Sequence, residues 1–231
     1  MNILLAIAHY THASGAAAAE PLIRCIVGWR GLAESGVQDF GGPCQATRAH
    51  QIDVLVVDDG THSAMAFVPE GLAERAMVDG DPLRLPLACR ALMDGQRARY
   101  DLLCYSEHDN WPTAPDFFAR IAAAQTAEPL TVLIPHRYER VCAAPYKVYI
   151  DGDNGWGAYG ALWAVTRAQW EFWRTMPHFL EYTDQFAGSL ESGCAWSLLQ
   201  TFTCRKDAAF ESEHGGDRYA RRSISRGIVW A

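Results

Sequence analysis

The 231-residue chain lacks a hydrophobic run long enough to cross a membrane or to act as a signal peptide. The longest apolar stretch at its start, Ile3 to Ala8, has no Lys or Arg before it and is followed at once by His9-Tyr10-Thr11-His12. A basic excess is also missing, because 20 Lys and Arg face 27 Asp and Glu, a net charge of −7. Such a surface does not neutralise a phosphate backbone. We therefore expect a cytoplasmic protein with no transmembrane segment and no nucleic-acid partner.

The seven cysteines form no Cys-x-x-Cys pair and have no His at zinc-finger spacing. This pattern favours reduced thiols that act as small apolar residues over a disulfide framework. No internal repeat, low-complexity run or linker divides the chain, and 231 residues suit one α/β domain. A single domain over residues 1–231 is the expectation.

Aromatic residues are abundant, with eight Trp and nine Tyr. Many of them fall late in the chain, at Trp156, Tyr159, Trp163, Trp170, Trp173 and Tyr182. Such a cluster is typical of core packing, although sugar rings also stack on aromatic faces.

Hydrophobic periodicity predicts strands that alternate with helices. The predicted strands are Asn2 to Ala8, Ile52 to Val57, Leu102 to Tyr105 and Leu130 to Ile134, and the predicted helices run from Pro21 to Leu32, from Leu83 to Met93 and from Pro115 to Ala122. This order favours an α/β fold with a mostly parallel sheet and helices on both faces. Ligands of such sheets bind beyond the carboxyl ends of the strands. We expect the polar segment from Arg205 to Arg226 to be mobile.

Two acidic motifs follow predicted strands, at Asp58-Asp59-Gly60 and at Glu107-His108-Asp109. Carboxylates held close together repel each other, and a divalent cation removes that cost while it bridges to diphosphate oxygens. Acidic residues after a strand are also ordinary turn or helix-capping residues, so each motif alone leaves both interpretations open.

The two motifs, taken with their flanking residues, resemble the GT-A glycosyltransferases, especially family 2. The resemblance rests on Ile52 to Thr61, on Tyr100 to Trp111 about fifty residues later, and on Tyr159 to Trp170, and it covers roughly residues 1–200. It implies a GT-A (Rossmann-like) fold, a nucleotide-sugar donor and a divalent cation, Mn²⁺ or Mg²⁺. It also implies a nucleotide-sugar-binding half over about residues 1–125 and an acceptor-binding half with a mobile tail over about residues 126–231.

The resemblance assigns roles to individual residues. Asp58 and Asp59 correspond to the motif that binds the nucleobase and ribose, with Asp59 at the base. Glu107 would lie near the ribose or near a water on the metal, and Asp109 would bind the metal. Many GT-A enzymes add a late histidine to the metal, which suggests His214; an exposed tail histidine is the alternative.

Two departures from the family pattern affect these roles. The Asp-x-Asp motif reads Glu107-His108-Asp109, which keeps the charge but lengthens the first side chain. Thr61-His62-Ser63 replaces the Ser-Thr-Asp that follows the first acidic motif in the family, which changes how the base would be held.

An inverting transferase needs a general base for the acceptor hydroxyl. Glu191 is the candidate because it precedes an apolar stretch and a carboxylate in a first helical turn is stabilised by the helix dipole. A helix-capping glutamate without a chemical role is the alternative, and Asp184 and Glu181 are the reserve candidates.

The sequence therefore predicts a hexosyltransferase-like glycosyltransferase, dependent on a divalent cation such as manganese. Two other functions share the fold. A sugar-phosphate nucleotidyltransferase would open with a basic, glycine-rich loop after the first strand, whereas His9 to Gly15 contains no Lys or Arg. A non-catalytic nucleotide- or carbohydrate-binding domain also stays open, because a fold does not establish activity.

Overall fold

The structure, a computed structural model, describes residues 1–13, 15–35, 50–114, 116–140, 147–149, 161–181 and 190–214. Over these residues the chain forms helices α1 (Glu20–Ser35), α2 (Leu85–Gln96), α3 (Phe117–Ala127), α4 (Arg167–Trp173) and α5 (Leu190–Thr201). The strands are β1 (Asn2–Ala8), β2 (Gln51–Asp58), β3 (Glu74–Met77), β4 (Leu102–Glu107), β5 (Asn110–Pro112), β6 (Thr131–Arg140), β7 (Lys147–Tyr149), β8 (Leu162–Thr166) and β9 (Thr203–His214). Each strand and helix predicted from periodicity is therefore present.

A five-stranded sheet in the order β3-β2-β1-β4-β8 forms the centre of the fold. Strands β3, β2, β1 and β4 are parallel, and β8 runs antiparallel to β4. Strand β1 occupies the middle position, which explains why Ile3 to Ala8 is apolar on both faces and buried throughout.

Helices cover both faces of this sheet. On one face, Ile3, Leu5 and Ile7 of β1 pack in a cluster with residues of α1 and α3. On the other face, Leu4, Ala6 and Ala8 pack in a cluster with residues of α2, α4 and α5. The prediction of a mostly parallel sheet with helices on both faces is confirmed.

The connection from β2 to β3 has no α-helix among its described residues. Its described residues contain only a short 3-10 turn at Met65–Phe67 before β3. Strand β3 is four residues long and mostly exposed, so hydrophobic periodicity gave no signal for it.

A second sheet, in the order β5-β9-β6-β7, contains the later strands. Strand β6 is the predicted strand at Leu130 to Ile134, but it lies in this sheet and pairs in parallel with β9. The prediction of mobility from Arg205 onward is wrong for residues 205–214, which belong to β9. Backbone hydrogen bonds to β6 and β5 hold this polar segment in place. The part of that segment after His214 lies outside the described residues.

Most described cysteines and late tryptophans are core residues. Cys25, Cys89 and Cys104 are buried free thiols, as predicted. Trp163, Trp170 and Trp173 are buried, with ring centroids 5.4–6.2 Å apart. The core-packing interpretation therefore holds for these three, whereas Trp156, Tyr159 and Tyr182 lie outside the described residues.

No helix in the described part of the chain is long and apolar enough to span a bilayer.

Candidate functional site

The ends of three parallel strands meet at one edge of the central sheet. Ala8, the last residue of β1, pairs with Val57 of β2 on one side and with Glu107 of β4 on the other. The residues that follow these strands therefore share one edge, which is the ligand-binding edge of open parallel sheets. Both predicted acidic motifs lie there.

Asp58 ends β2 and is completely buried. Arg75 of β3 donates to both of its carboxylate oxygens, from Nε at 2.7 Å and from Nη2 at 2.8 Å. The Gly60 N–H donates to it at 2.7 Å, and the Ser63 hydroxyl donates at 3.0 Å. Burial alone would raise the pKa of Asp58, but the hydrogen bonds and charge of Arg75 and the two further donors hold it below the usual value. Asp58 therefore anchors the loop after β2 as a buried anion.

Asp59 accepts hydrogen bonds from its own loop. Its Oδ1 accepts from the N–H groups of Thr61 at 3.0 Å and His62 at 2.7 Å, and its Oδ2 lies 2.8 Å from Nδ1 of His62. Burial raises the pKa of Asp59, but the bonds from His62 and Thr61 outweigh it and lower the pKa below the usual value. The carboxylate is therefore ionised at neutral pH and orients the His62 ring.

The second acidic motif lies on a tight turn between β4 and β5. The hydroxyl of Ser106 in β4 is buried and donates to the Asn110 carbonyl of β5 at 2.7 Å, across this turn. The Cys25 thiol of α1 donates to the same carbonyl at 3.0 Å. Burial raises the pKa of Cys25, so the thiol stays protonated and keeps this role. The turn that carries Asp109 is thus fixed from the core side.

Asp109 and His214 are brought close by strand pairing. Asn110, the residue directly after Asp109, is the register partner of His214 in the antiparallel β5–β9 pair. His214 is thus the last residue of a strand, whereas the sequence alone suggests a tail residue. The position of its side chain lies outside the described part.

A cleft of about 200 Å³ opens beside these strand ends. Tyr10 from the segment after β1 borders it, as do the three residues of the Glu107-His108-Asp109 motif. Pro82, Leu85 and Pro86, at and before the start of α2, form an apolar wall. The lining of the cleft therefore combines acidic and apolar groups, as is usual for sites that bind a polar ligand with one apolar part.

His108 borders the cleft, and His9, His12 and His62 lie in the segments that follow β1 and β2. The sequence motifs give His9 and His12 no role. His9 is buried, its Nε2 accepts from the Ala64 N–H at 2.8 Å, and its ring meets His108 edge-on at 4.8 Å. Burial, followed by the nearby His108, lowers the pKa of His9 to about 4, so the ring is neutral. Tyr10, His12 and His62 form a group of three rings with centroids 4.8–5.0 Å apart. The His-Tyr-Thr-His run after the first strand was the available signal.

The candidate bases are not joined to this edge by any described contact. Glu191 is the second residue of α5, which confirms the expected helix start, but its side chain lies outside the described part. Glu181 is exposed, and Asp184 lies outside the described residues.

The donor groups at the cleft suit a hard divalent cation, because Mn²⁺ and Mg²⁺ prefer carboxylate oxygens. Glu107 and Asp109 supply two carboxylates within one turn. Among the described side chains, no group of three or more His, Cys, Asp and Glu is arranged to hold a metal ion. A cation here would therefore need further ligands, such as His214, water or diphosphate oxygens.

No protein-family model matches the chain, and no curated protein matches it. Solved structures do match. S. aureus TarS 1–349 aligns with a TM-score of 0.51 and 8% identity, covering 93% of this chain and 60% of the other. GalNAc-T7, solved with UDP, GalNAc and Mn²⁺, aligns with a TM-score of 0.51 and 11% identity, covering 92% of this chain and 43% of the other. The chain thus spans less than two thirds of either structure. Both neighbours are glycosyltransferases, and the fold of this chain is of the GT-A type.

Proposed function

We propose that this chain is a glycosyltransferase, similar to those of family 2, that transfers a sugar from a nucleoside-diphosphate donor to an acceptor hydroxyl with the help of a divalent cation. The observation that carries this proposal is the meeting of both acidic motifs at one sheet edge, where the second motif borders a cleft of about 200 Å³. The GT-A fold and a neighbour solved with UDP and Mn²⁺ support it.

In this proposal, each part of the cleft has a separate task. The loop anchored by Asp58 and the rings after β1 hold the nucleoside, and Glu107 and Asp109 hold the cation, with His214 as a further ligand. When bound, the cation supplies positive charge that stabilises the leaving diphosphate. The apolar wall at the start of α2 excludes water from the donor. Glu191 accepts the proton of the acceptor hydroxyl, with Asp184 and Glu181 as reserves.

Asp109→Asn tests the cation site, with Asp101→Asn as the matched control. Asp101 lies immediately before β4, at the other end of the strand that delivers the acidic motif, and its side chain is 46% exposed. Calorimetry with UDP and GDP, with Mn²⁺ or with chelator, measures binding. We expect Mn²⁺-dependent binding to the parent and to Asp101→Asn, and loss of it in Asp109→Asn. Binding that is indifferent to chelator and to Asp109→Asn would contradict the cation site.

Glu191→Gln separates a transferase from a binding domain. The substitution keeps shape and hydrogen bonding but removes the basic carboxylate. Release of nucleoside diphosphate from donors, in the presence of a panel of hydroxyl acceptors, should fall by about 10²–10⁴, the usual size of general-base catalysis. Donor binding should stay unchanged. A parental rate in this variant would make Glu191 a structural residue, and no release by the parent from any donor would leave a binding domain.

A further inference from the structure

In the loop after β2, the Asp59 carboxylate and the His62 imidazole form a pair, and the His62 ring contacts the Tyr10 and His12 rings that follow β1. The Asp59 carboxylate is ionised, and a carboxylate only accepts hydrogen bonds, so the proton in the 2.8 Å contact belongs to Nδ1 of His62. In the neutral ring the other nitrogen, Nε2, then carries a lone pair. No contact with a described residue occupies that nitrogen, and the His62 side chain is 36% exposed.

The surroundings of His62 suit a flat ligand. Its backbone carbonyl accepts from the Thr11 N–H at 2.9 Å, which ties the loop after β2 to the segment after β1. Its ring lies 4.8 Å from Tyr10 and 5.0 Å from His12, and Tyr10 also borders the 200 Å³ cleft. Aromatic side chains stack on any of the nucleobases, because every base has a π face. An acceptor nitrogen beside those faces adds selectivity.

Asp59 itself is poorly placed to meet a base. Both of its oxygens already accept hydrogen bonds from Thr61 and His62, and its side chain is only 8% exposed. His62, which Asp59 orients, is therefore more accessible to a base than Asp59, the residue expected to contact it.

We propose that Nε2 of His62 reads the nucleobase of the donor by accepting a ring N–H, and that Asp59 is a positioning residue that fixes the tautomer of His62. This inference rests on the proposed function. It names the donor class as nucleoside diphosphates of uracil or guanine, whose pairing edges carry a ring N–H. Cytosine and adenine present a lone pair at the equivalent ring nitrogen and are disfavoured.

Three variants test the proposal in calorimetry with UDP, GDP, CDP and ADP in the presence of Mn²⁺. The parent should bind UDP or GDP at least tenfold more tightly than CDP and ADP. His62→Phe keeps a ring for stacking but has no acceptor nitrogen, so this preference should shrink to less than threefold. His50→Phe is the control, because His50 lies directly before β2, at the opposite end of that strand from the loop that carries His62. It should keep the parental preference.

Asp59→Asn tests whether Asp59 sets the tautomer of His62, because a purely structural role of Asp59 would leave the base preference unchanged. An amide NH₂ facing His62 donates to Nδ1, which places the ring proton on Nε2 and converts it from acceptor to donor. The preference should then shift toward CDP and ADP.

The outcomes separate this inference from the proposed function. Binding that depends on Asp109 but shows the same base preference in the parent and His62→Phe overturns the inference alone, as does equal binding of all four nucleotides. No binding of any nucleotide overturns both. A parental base preference in a folded Asp59→Asn variant overturns the positioning role of Asp59.

Discussion

Arg75→Met removes the cation that neutralises the buried carboxylate of Asp58. The side chain of Asp58 is completely buried, and it loses two charge-assisted hydrogen bonds of 2.7 and 2.8 Å. Each such bond contributes about 1.5–3 kcal/mol. The Gly60 and Ser63 donors stay in place, and Arg75 is 36% exposed, so solvent compensates part of the loss. We expect the free energy of unfolding to fall by about 2–4 kcal/mol at pH 7.

The pH dependence of this loss follows from the lowered pKa of Asp58. A carboxyl whose folded-state pKa is below its ordinary value of 3.8 contributes stability above that value and loses it as the pH falls through the folded-state pKa. Without Arg75, the pKa of Asp58 rises, and the carboxyl takes up a proton at a higher pH. The difference between parent and variant should therefore be full at pH 7 and should shrink as the pH falls toward 3.8 and below it.

Urea denaturation at pH 7 and at a series of lower pH values measures both effects. Arg24→Met is the control, because Arg24 and Glu20 form a pair of similar length, 2.6 Å, whose side chains are 62% and 61% exposed. That variant should lose less than about 1 kcal/mol. If both variants lost the same stability at pH 7, the burial of Asp58 would not matter, and the argument from desolvation would be refuted.

Two further predictions concern His9 and helix α1. His9→Gln should make the fall in stability between pH 6.5 and about 4 smaller than in the parent, because a buried histidine with a lowered pKa stabilises the fold only while it is neutral. The contribution of His9 to the parental fall is at most about 3 kcal/mol. An identical pH profile of urea midpoints in parent and variant would contradict this. Gly31→Ala should raise the free energy of unfolding by about 0.5–1 kcal/mol, because the added Cβ meets open space beside α1. Gly28→Ala in the same helix should lower it, because the added Cβ would lie 3.0 Å from the Trp111 ring. Equal melting temperatures of the two variants would disprove this contact.

The central sheet could be predicted from the sequence because its strands are buried on both faces. Runs such as Ile3 to Ala8 and Leu102 to Tyr105 are apolar at every position, and that signal is local. Strand β9 gave no such signal, since Arg205 to His214 is mostly polar. Its formation depends on backbone pairing with β5 and β6, which lie far away in the sequence.

The candidate site was predictable only where its residues follow strands. The two acidic motifs end β2 and β4, so their position at one edge followed from parallel topology. The residues that bind those carboxylates could not be predicted from the sequence. Arg75 comes from a short strand that periodicity missed, and the pair formed by His62 and Asp59 depends on a local loop conformation. The sequence showed the charges but not which of them were already neutralised.

The pairing of Asn110 with His214 joins residues 104 positions apart in the chain. During synthesis, the turn that carries Glu107 and Asp109 emerges long before the strand that completes its sheet. Closing so large a loop is slow compared with forming local helices. Helices α1, α2 and α3 can therefore form early, whereas the acidic edge gains its last neighbouring strand only after residue 214 has left the ribosome. A chain shortened before β9 would therefore keep the strands of the central sheet but lack the strand that pairs with the residue after Asp109.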